Sequence, residues 1–396
     1  MPDFPASREA ALNRLRAFSP KAGRAYAAGR NTDFSEPDQQ AVSMLSPYLR
    51  RRMITEREVV AEVLKLHSAD AAEKFIQEVF WRTYWKGWLE MRPAVWDRYL
   101  SECEAALADP PNGYQSAIEG RTGIEGFDDW AQELVQTGWL HNHARMWFAS
   151  IWIFTLRLPW ALGADFFYRH LLDADPASNT LSWRWVAGLH TKGKTYLART
   201  DNIEKYTNGR FRPSGLAPFA EPLVEPFDIP APLPPRQSQT RVPNGPYALL
   251  LTDDDLHPES WPGFETNPPQ EVIVLNPLPQ KSNLNSGEIA RQFSKDALHD
   301  ALVRIDRPTM FCDAHAGGLE RTASGLTADG LLVPYQLCGP SASILNQSLV
   351  KIEEQGVTVH ELKRSWDDHA WPYATAGFFK LKKKIPSLLS KAGLTG

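Results

Sequence analysis

Apolar residues in the first half of the chain recur at helical spacing. Between residues 71 and 89, and again between 134 and 158, they repeat every three or four positions, which predicts amphipathic helices over both ranges. The pair Asp175-Pro176 predicts the start of another helix, because aspartate is a good N-cap and proline suits the first helical position. We therefore expect residues 1–212 to form an all-helical domain.

Beyond residue 246 the pattern changes to short apolar runs that are typical of strands. The predicted strands cover residues 247–252, 271–275, 309–312, 331–337 and 357–362. Helix-like stretches at 286–305 and 341–354 separate several of them, and this alternation predicts a parallel sheet covered by helices. No G-x-G-x-x-G follows the first strand, so a classical dinucleotide site is not indicated.

A proline-rich segment separates the two patterns. Ten prolines fall within residues 213–246 and favour an extended, semi-rigid linker. The predicted fold class is therefore α + α/β: a helical domain over residues 1–212, the linker, and a Rossmann-like parallel α/β domain over residues 247–396.

Composition narrows the classes of protein. The chain has no apolar run of eighteen residues and no basic-then-apolar leader, which predicts a cytoplasmic protein without a membrane partner. Its three cysteines, Cys103, Cys312 and Cys338, show no C-x-x-C spacing, which argues against a disulfide framework, a zinc site and an iron–sulfur cluster. We expect no bound metal.

The charge balance gives two interpretations of one basic run. A net charge of −4 argues against a protein that coats nucleic acid. A local patch can still bind phosphates, and Arg50-Arg51-Arg52 is the candidate. The alternative is an ordinary solvated helix end.

Tryptophans are concentrated in one stretch. Eleven of the fourteen lie between Trp81 and Trp185, which suggests stacking or electron transfer, although large helical cores also contain tryptophan. Within this stretch, helical spacing places Glu78, Trp81 and Arg82 on one face as a plausible ligand wall. The alternative is a Glu78–Arg82 pair within the helix, worth a few tenths of a kcal/mol.

Two further segments carry candidate ligand contacts. Trp139, Asn142 and Met146 share a helical face with Arg145 beside them, and a buried asparagine amide needs hydrogen-bond partners that a ligand can supply. In the second segment, Asp175 is expected to cap its helix. Asp173 has no such role and needs a cationic partner if it is buried.

Five ordered blocks of this kind resemble the flavin-site signatures of the cryptochrome/photolyase family over about residues 10–212. The blocks are Tyr26 with Arg30 and then residues 43–49, E-x-x-W-R at 78–82, Thr122-Gly123, T-G-W-x-H-N-x-x-R-M at 137–146, and D-x-D-x-x-x-N-x-x-x-W-x-W at 173–185. The chain departs from the family at Val42, where threonine is usual, and at Glu125, where proline is usual.

The resemblance implies an FAD cofactor bound in the helical domain. The residues that it places around FAD are Tyr26, Ser43, Leu45, Ser46, Arg82, Trp139, Asn142, Arg145, Asp173, Asp175 and Asn179. It implies an Arg145–Asp173 ion pair beside the isoalloxazine ring, with Asn179 facing N5. Trp183 and Trp160 match the inner two members of the family's electron-transfer chain, and its third member has no clear counterpart.

The activity implied is light-driven repair of UV-damaged DNA by a deoxyribodipyrimidine photolyase-type lyase. In the family, excited reduced FAD donates an electron to a flipped pyrimidine dimer, the ring splits and the electron returns. The residues assigned to the dimer are Glu78, Trp81, Asn142, Met146 and Trp185. Asn142 and Met146 favour cyclobutane dimers, because relatives that repair (6-4) photoproducts usually carry histidine there.

Two other interpretations stay open: a cryptochrome-like blue-light photoreceptor that signals through a partner, and an inactive flavin-binding relic. Residues 250–257 resemble the start of the family's antenna domain, which normally comes first, so a swapped or circularly permuted domain order is expected. A second, antenna chromophore in that domain is left open, and a monomer is expected.

Overall fold

The computed structural model describes residues 3–34, 40–275, 286–312 and 317–394. Helices account for the first half of the described chain. They are α1 Arg8–Phe18, α2 Arg24–Gly29, α3 Ser46–Arg50, α4 Glu56–Leu64, α5 Glu73–Glu90, α6 Ala94–Ala108, α7 Tyr114–Ile118, α8 Phe127–Thr137, α9 Asn142–Ser150, α10 Trp160–His170, α11 Pro176–Val186 and α12 Thr200–Tyr206. None of the described helices is long and apolar enough to cross a membrane.

Local signals set the helix ends that position the later site. The predicted helix over residues 71–89 is confirmed as α5. The single helix predicted over 134–158 is wrong. Gly138 takes a left-handed conformation (φ 68°) that ends α8, and the ring of His141 caps the separate helix α9. A π-helical turn, Ile151–Thr155, follows α9.

The second half alternates strands and helices, as predicted. Its elements are β1 Tyr247–Leu251, β2 Glu271–Leu275, α13 Glu288–Ile305, β3 Thr309–Cys312, α14 Gly318–Ala323, β4 Gly330–Pro334, α15 Pro340–Glu354, β5 Thr358–Leu362, α16 Ser365–Ala370, α17 Phe378–Lys382 and α18 Ile385–Lys391. The strands form one parallel sheet in the order β3-β2-β1-β4-β5. This is the doubly wound, Rossmann-like arrangement.

The sheet has two different covers. On one face, Leu249, Leu251 and Val272 join the same apolar core as the helical half. On the other, Leu250 and Ile273 pack with residues of α14 and α15 in a separate cluster. The apolar runs are buried on both sides, which is why their sequences are almost continuously apolar.

The chain between the two halves runs over the surface of both. Within residues 213–246, the Leu223 amide donates to the Ala187 carbonyl (3.0 Å) and the Leu233 amide to Met91 (2.8 Å). The C-terminal helices then return to α5. There Gly87 is required, because a Cβ at this position would come within 2.5 Å of the Trp371 ring.

Both interpretations of Arg50-Arg51-Arg52 are wrong. The three guanidinium groups are neither a phosphate patch nor a solvated helix end, because each is buried against an aspartate that follows β1. The pairs are Arg50–Asp254 (2.7 Å), Arg51–Asp253 (3.7 Å) and Arg52–Asp255 (3.4 Å). Arg52 also pairs with Asp367 of α16. We call this set the arginine–aspartate seam.

Candidate functional site

A cavity of about 620 Å³ opens between α5, α9 and α11. Its volume lies within the range of small-molecule and cofactor sites. The predicted site residues on its wall are Tyr26, Ser43, Ser46, Glu78, Trp81, Arg82, Asn142, Arg145, Met146, Asp173, Asn179, Trp183 and Trp185. Four of the five sequence blocks, separated by dozens of residues, therefore meet in one place.

Four predicted site residues do not line this cavity. Leu45 is buried between two serines that do line it, and Trp139 packs against Phe4 with ring centres 6.4 Å apart. Asp175 lies behind the wall, where it contacts two residues that do line the cavity, Arg82 and Ser178. Trp160 is buried with its indole N–H donating to Glu102 (2.8 Å).

Arg145 and Asp173 form a two-pronged ion pair on the cavity wall. Nη1 and Nη2 of Arg145 lie 3.0 and 2.9 Å from the two carboxylate oxygens, and Nε donates to the Leu140 carbonyl (2.9 Å). The cationic partner expected for Asp173 is thus confirmed. This geometry holds a fixed dipole at the wall, because both prongs and the third bond restrain the guanidinium plane.

Asn179 is buried one turn into α11, and its amide is oriented by the neighbouring helix. Nδ2 donates to the Ala164 carbonyl of α10 (2.8 Å). Asp175 positions the same helix, because its carboxylate accepts from the Ser178 amide (2.9 Å) as the predicted N-cap. The orientation of the Asn179 amide is therefore fixed before a ligand enters the cavity.

Glu78 pairs across helices, with Arg30, and the alternative pair with Arg82 is not formed. Burial raises the pKa of Glu78, and Arg30 opposes this shift. The Glu78 side chain remains 39 % exposed, so its carboxyl group is still accessible from the cavity.

Arg82 is held from behind by carboxylates. It lies 3.2 Å from Asp175 and 3.5 Å from Glu56. Burial acts to raise the pKa of Asp175, but the adjacent Arg82 and Lys86 outweigh it and hold that pKa below its usual range. Arg82 thus presents a cation at the wall whose position is fixed by two buried anions.

Aromatic rings complete the wall. Trp81 stacks on Phe378 with ring centres 3.9 Å apart, and Trp185 stacks on Tyr196 at 5.9 Å. Beside them, the Asn142 amide approaches the Met146 sulfur (3.8 Å). The wall thus combines broad apolar faces with single polar groups.

The two predicted electron-transfer tryptophans have different surroundings. Trp183 lines the cavity and contacts Trp152, with ring centres 6.1 Å apart. Trp160 instead contacts Tyr99 at 5.7 Å. Gly163 makes the Trp183–Trp152 contact compatible with α10, because a Cβ there would come within 2.3 Å of Trp183 and 2.9 Å of Trp152.

Sequence reasoning missed several wall residues. Trp85 lies one helical turn after Trp81, and Ser178 and Ser182 lie beside Asn179 on α11, so helical periodicity could have found all three. Phe379 of α17 also lines the cavity. It is about 300 residues from Glu78 in sequence, and no local pattern connects the two.

The described residues contain no cluster of three or more histidine, cysteine, aspartate or glutamate side chains placed to hold a metal ion. Cys103 and Cys312 are buried and Cys338 is half-buried. The cations of Arg82 and Arg145 and the rings of Trp81 and Trp185 suit a ligand with both anionic and aromatic parts.

Comparison with known proteins identifies relatives of the helical half. Residues 75–211 match the family model described as the FAD binding domain of DNA photolyase. The chain is 32 % identical to a deoxyribodipyrimidine photo-lyase of Alkalihalophilus pseudofirmus over 191 residues, which is 48 % of this chain and 39 % of the relative. The corresponding enzyme of Thermus thermophilus is 33 % identical over 190 residues, 48 % of this chain and 44 % of the relative.

The similarity is confined to part of each chain. This chain spans less than half the length of these relatives. A solved class III photolyase from Agrobacterium tumefaciens is 26 % identical, with a TM-score of 0.42, over 51 % of this chain and 43 % of that one.

Proposed function

We propose that the protein is a light-driven lyase of the cryptochrome/photolyase family that splits cyclobutane pyrimidine dimers in UV-damaged DNA. The match of residues 75–211 to the FAD binding domain of DNA photolyase supports this proposal. One observation carries the proposal. The five residues assigned to the dimer share a single cavity with the Arg145–Asp173 pair and Asn179, which are assigned to the flavin. Substrate and cofactor can therefore be held in contact.

The wall fits FAD as the cofactor. Two hydroxyl groups, from Ser43 and Ser46, and the fixed cation of Arg82 suit a pyrophosphate, whereas the apolar and aromatic surfaces suit the ring systems. When bound, FAD in its reduced, light-excited form supplies the electron that opens the dimer and recovers it afterwards. Leu45 and Trp139 would support this site from behind, and Asp175 would act through Arg82.

The protein's own groups orient both partners. The Arg145–Asp173 dipole and the Asn179 amide present fixed charges to a flavin ring without reorganisation during the reaction. Trp81 and Trp185 offer faces on which the two bases of a flipped dimer can stack. Removal of the dimer from the duplex is easier than that of an intact base pair, because its pairing is already weakened.

Glu78 is proposed to hydrogen-bond the base edge of the dimer. Its ionised carboxylate accepts from a pyrimidine N–H, and its protonated form donates to a carbonyl. Burial raises the pKa of Glu78, so the donating form is reached at higher pH than for a solvated glutamate. Asn142 and Met146 are proposed to line the contact between dimer and adenine.

In the crevice beyond the carboxyl ends of β1 and β4, where doubly wound sheets usually bind ligands, the described residues leave little room for an antenna chromophore, and we propose none there. Arg50 and Pro176 of the helical half fill this crevice and leave about 20 Å³. A Cβ on Gly339 would lie 2.6 Å from the Pro176 ring. We also propose the swapped domain order, because residues 250–257 resemble the start of the family's antenna domain, which normally comes first.

The decisive experiment is repair in defined light. The protein is purified in the dark, loaded with FAD, reduced, and illuminated with an oligonucleotide that contains one cyclobutane dimer. Loss of dimers measured by chromatography is expected only in blue light. Stable flavin binding without any dimer loss would instead support the photoreceptor, and failure to bind flavin would exclude both.

Replacement of one side chain separates repair from cofactor binding. Glu78→Ala is expected to slow repair about 10- to 100-fold, the effect of losing a hydrogen bond to a charged group, while flavin stays bound. Glu354→Ala, an exposed glutamate on α15, removes the same charge far from the cavity and serves as the control. If Glu78→Ala releases the flavin, its assigned role is wrong.

A further inference from the structure

The C-terminal stretch of the protein is strongly basic and lies beside the cavity. Residues 376–391 contain five lysines and no acidic residue, although the whole chain carries a net charge of −4. The helix α17 within this stretch packs directly on α5, which supplies Glu78, Trp81 and Arg82 to the cavity wall.

Phe378 anchors α17 on the site. It is 3 % exposed, stacks on Trp81 at 3.9 Å with an interplanar angle of 13°, and contacts the edge of Tyr84 at 5.7 Å. A second contact fixes the direction of the helix, because Lys382 lies 3.4 Å from Glu73 at the start of α5. The helix therefore lies along α5 beside the cavity.

Phe379 faces the opposite way. Its side chain is 71 % exposed, yet it forms part of the cavity wall. Among the described residues it is the one wall residue that lies beyond residue 186. A large exposed aromatic ring at the mouth of a cavity is typical of a surface that meets a partner.

The two lysines that directly follow α17 carry a positive charge without an acidic partner among the described residues. Lys383 and Lys384 are exposed, and no acidic side chain within the described ranges lies within 4.0 Å of either ammonium group. Lys384 rests over the Tyr373 ring at 5.5 Å, which leaves its ammonium group accessible. Such cations suit the phosphates of a nucleic-acid backbone.

We propose that α17 and the lysines after it form a second DNA-contacting element, built from the sheet half of the chain. Phe379 stacks against a base next to the flipped dimer, and Lys383 and Lys384 bind the flanking backbone phosphates. This inference rests on the proposed function, because it takes the cavity to receive the dimer.

Two features favour DNA over an anionic membrane surface. The aromatic ring lies at the cavity that is proposed to receive a base, and α17 is a five-residue helix. A helix of this length offers little apolar face to a lipid interface. Binding to lipid vesicles is therefore kept as an outcome that would overturn the proposal.

The lysines are tested by the salt dependence of DNA binding. Lys383→Ala/Lys384→Ala is compared with Lys295→Ala/Lys351→Ala, which removes two exposed lysines of α13 and α15. Affinity for a dimer-containing duplex is measured by fluorescence anisotropy at several salt concentrations. We expect the first variant to bind about tenfold more weakly, with the salt slope reduced by about 1.8, and the control to match the wild type.

Phe379 is tested by discrimination between damaged and intact DNA. Phe379→Ala is expected to lose about tenfold in affinity for the dimer-containing duplex and much less for undamaged duplex, because base–aromatic stacking requires an accessible base. Phe379→Trp should restore the wild-type value. Equal losses on both duplexes would contradict the assignment of Phe379.

The outcomes separate this inference from the proposed function. If the wild type neither binds nor repairs dimers, the proposed function fails. If it repairs them and the Lys383/Lys384 variant retains wild-type affinity and salt slope, only the role of α17 fails. If the Lys383/Lys384 variant binds DNA like the wild type but no longer binds phosphatidylglycerol vesicles, the lysines contact a lipid surface and the proposal is overturned.

Discussion

Ion pairs between arginine and carboxylate occur in two regions of this protein under opposite conditions. In the arginine–aspartate seam, the side chains of Arg51 and Arg52 are 1 % and 6 % exposed, and their partners Asp253 and Asp255 are also buried. At the cavity, Arg145 is 23 % exposed, and the Arg30–Glu78 pair is about one-third exposed. The seam is closed to water and the cavity is open to a ligand.

The difference shows that arginine–carboxylate ion pairs can have either a structural role or a ligand-binding role. A buried ion pair such as those of the seam is not accessible to a ligand. Removal of one partner would leave the other charge buried and unpaired, and the pair therefore holds its two segments together. An open pair contributes little to stability, yet it keeps unsatisfied donor and acceptor capacity at the wall. Glu56 joins the two regions, since it lies 3.9 Å from Arg52 and 3.5 Å from Arg82.

The largest expected effect comes from opening the seam. Arg52→Ala should destabilise the fold by about 3–5 kcal/mol, because the buried Asp367 would lose its guanidinium partner and Asp255 would keep only Arg364. Denaturant unfolding measures this loss. Arg212→Ala, whose side chain is 73 % exposed, should change stability by less than about 0.5 kcal/mol. Equal effects of the two changes would remove the distinction between the regions.

A smaller effect is expected at Glu90, a half-buried carboxyl with no ion-pair partner among the described residues. It accepts from the Tyr335 hydroxyl (3.0 Å) and from the Cys338 amide, and burial raises its pKa to about 7. The folded chain therefore holds this proton more tightly than the unfolded chain, whose glutamates titrate near pH 4.5. Its contribution is complete below pH 4.5 and is lost as pH rises toward 7.

Glu90→Gln removes this titration. Between pH 4.5 and 8 the wild type should lose about 3 kcal/mol more unfolding free energy than the variant. Unfolding of both proteins at several pH values measures the difference. If the unfolding free energies of the two proteins change with pH in parallel, folding does not raise the pKa of Glu90.

The cavity pair should behave in the opposite way to the seam. Asp173→Asn is expected to weaken FAD binding about tenfold and to change the unfolding free energy by less than about 1 kcal/mol, because Arg145 stays partly solvated. Flavin fluorescence titration and denaturant unfolding give the two values. A stability loss as large as that of Arg52→Ala would place this pair with the seam.

The strands were predictable because most are short apolar runs bounded by turns, and β2 and β3 match their predicted limits. The wall residues from α5, α9 and α11 followed from motif spacing on helices. The single helix over 134–158 failed because the apolar spacing continues across Gly138, whose left-handed backbone breaks the helix.

Other features depend on contacts that no local pattern encodes. The partners of Arg50, Arg51 and Arg52 lie about 200 residues away, so their burial follows only from the packing of β1 against the helical half. Phe379 reaches the cavity for the same reason, through the return of α17 to α5. Sequence spacing predicts faces of elements, whereas tertiary packing decides which faces meet.

The seam also bears on how far the two halves can be separated. The proline-rich linker has the composition of a boundary at which a chain can be cut. A fragment ending at residue 212 would nevertheless expose three guanidinium groups and the apolar surface that the sheet now covers. We therefore expect the two halves to unfold together rather than separately. A rearrangement that kept only the arginine run or only the aspartate run would leave buried charges without partners.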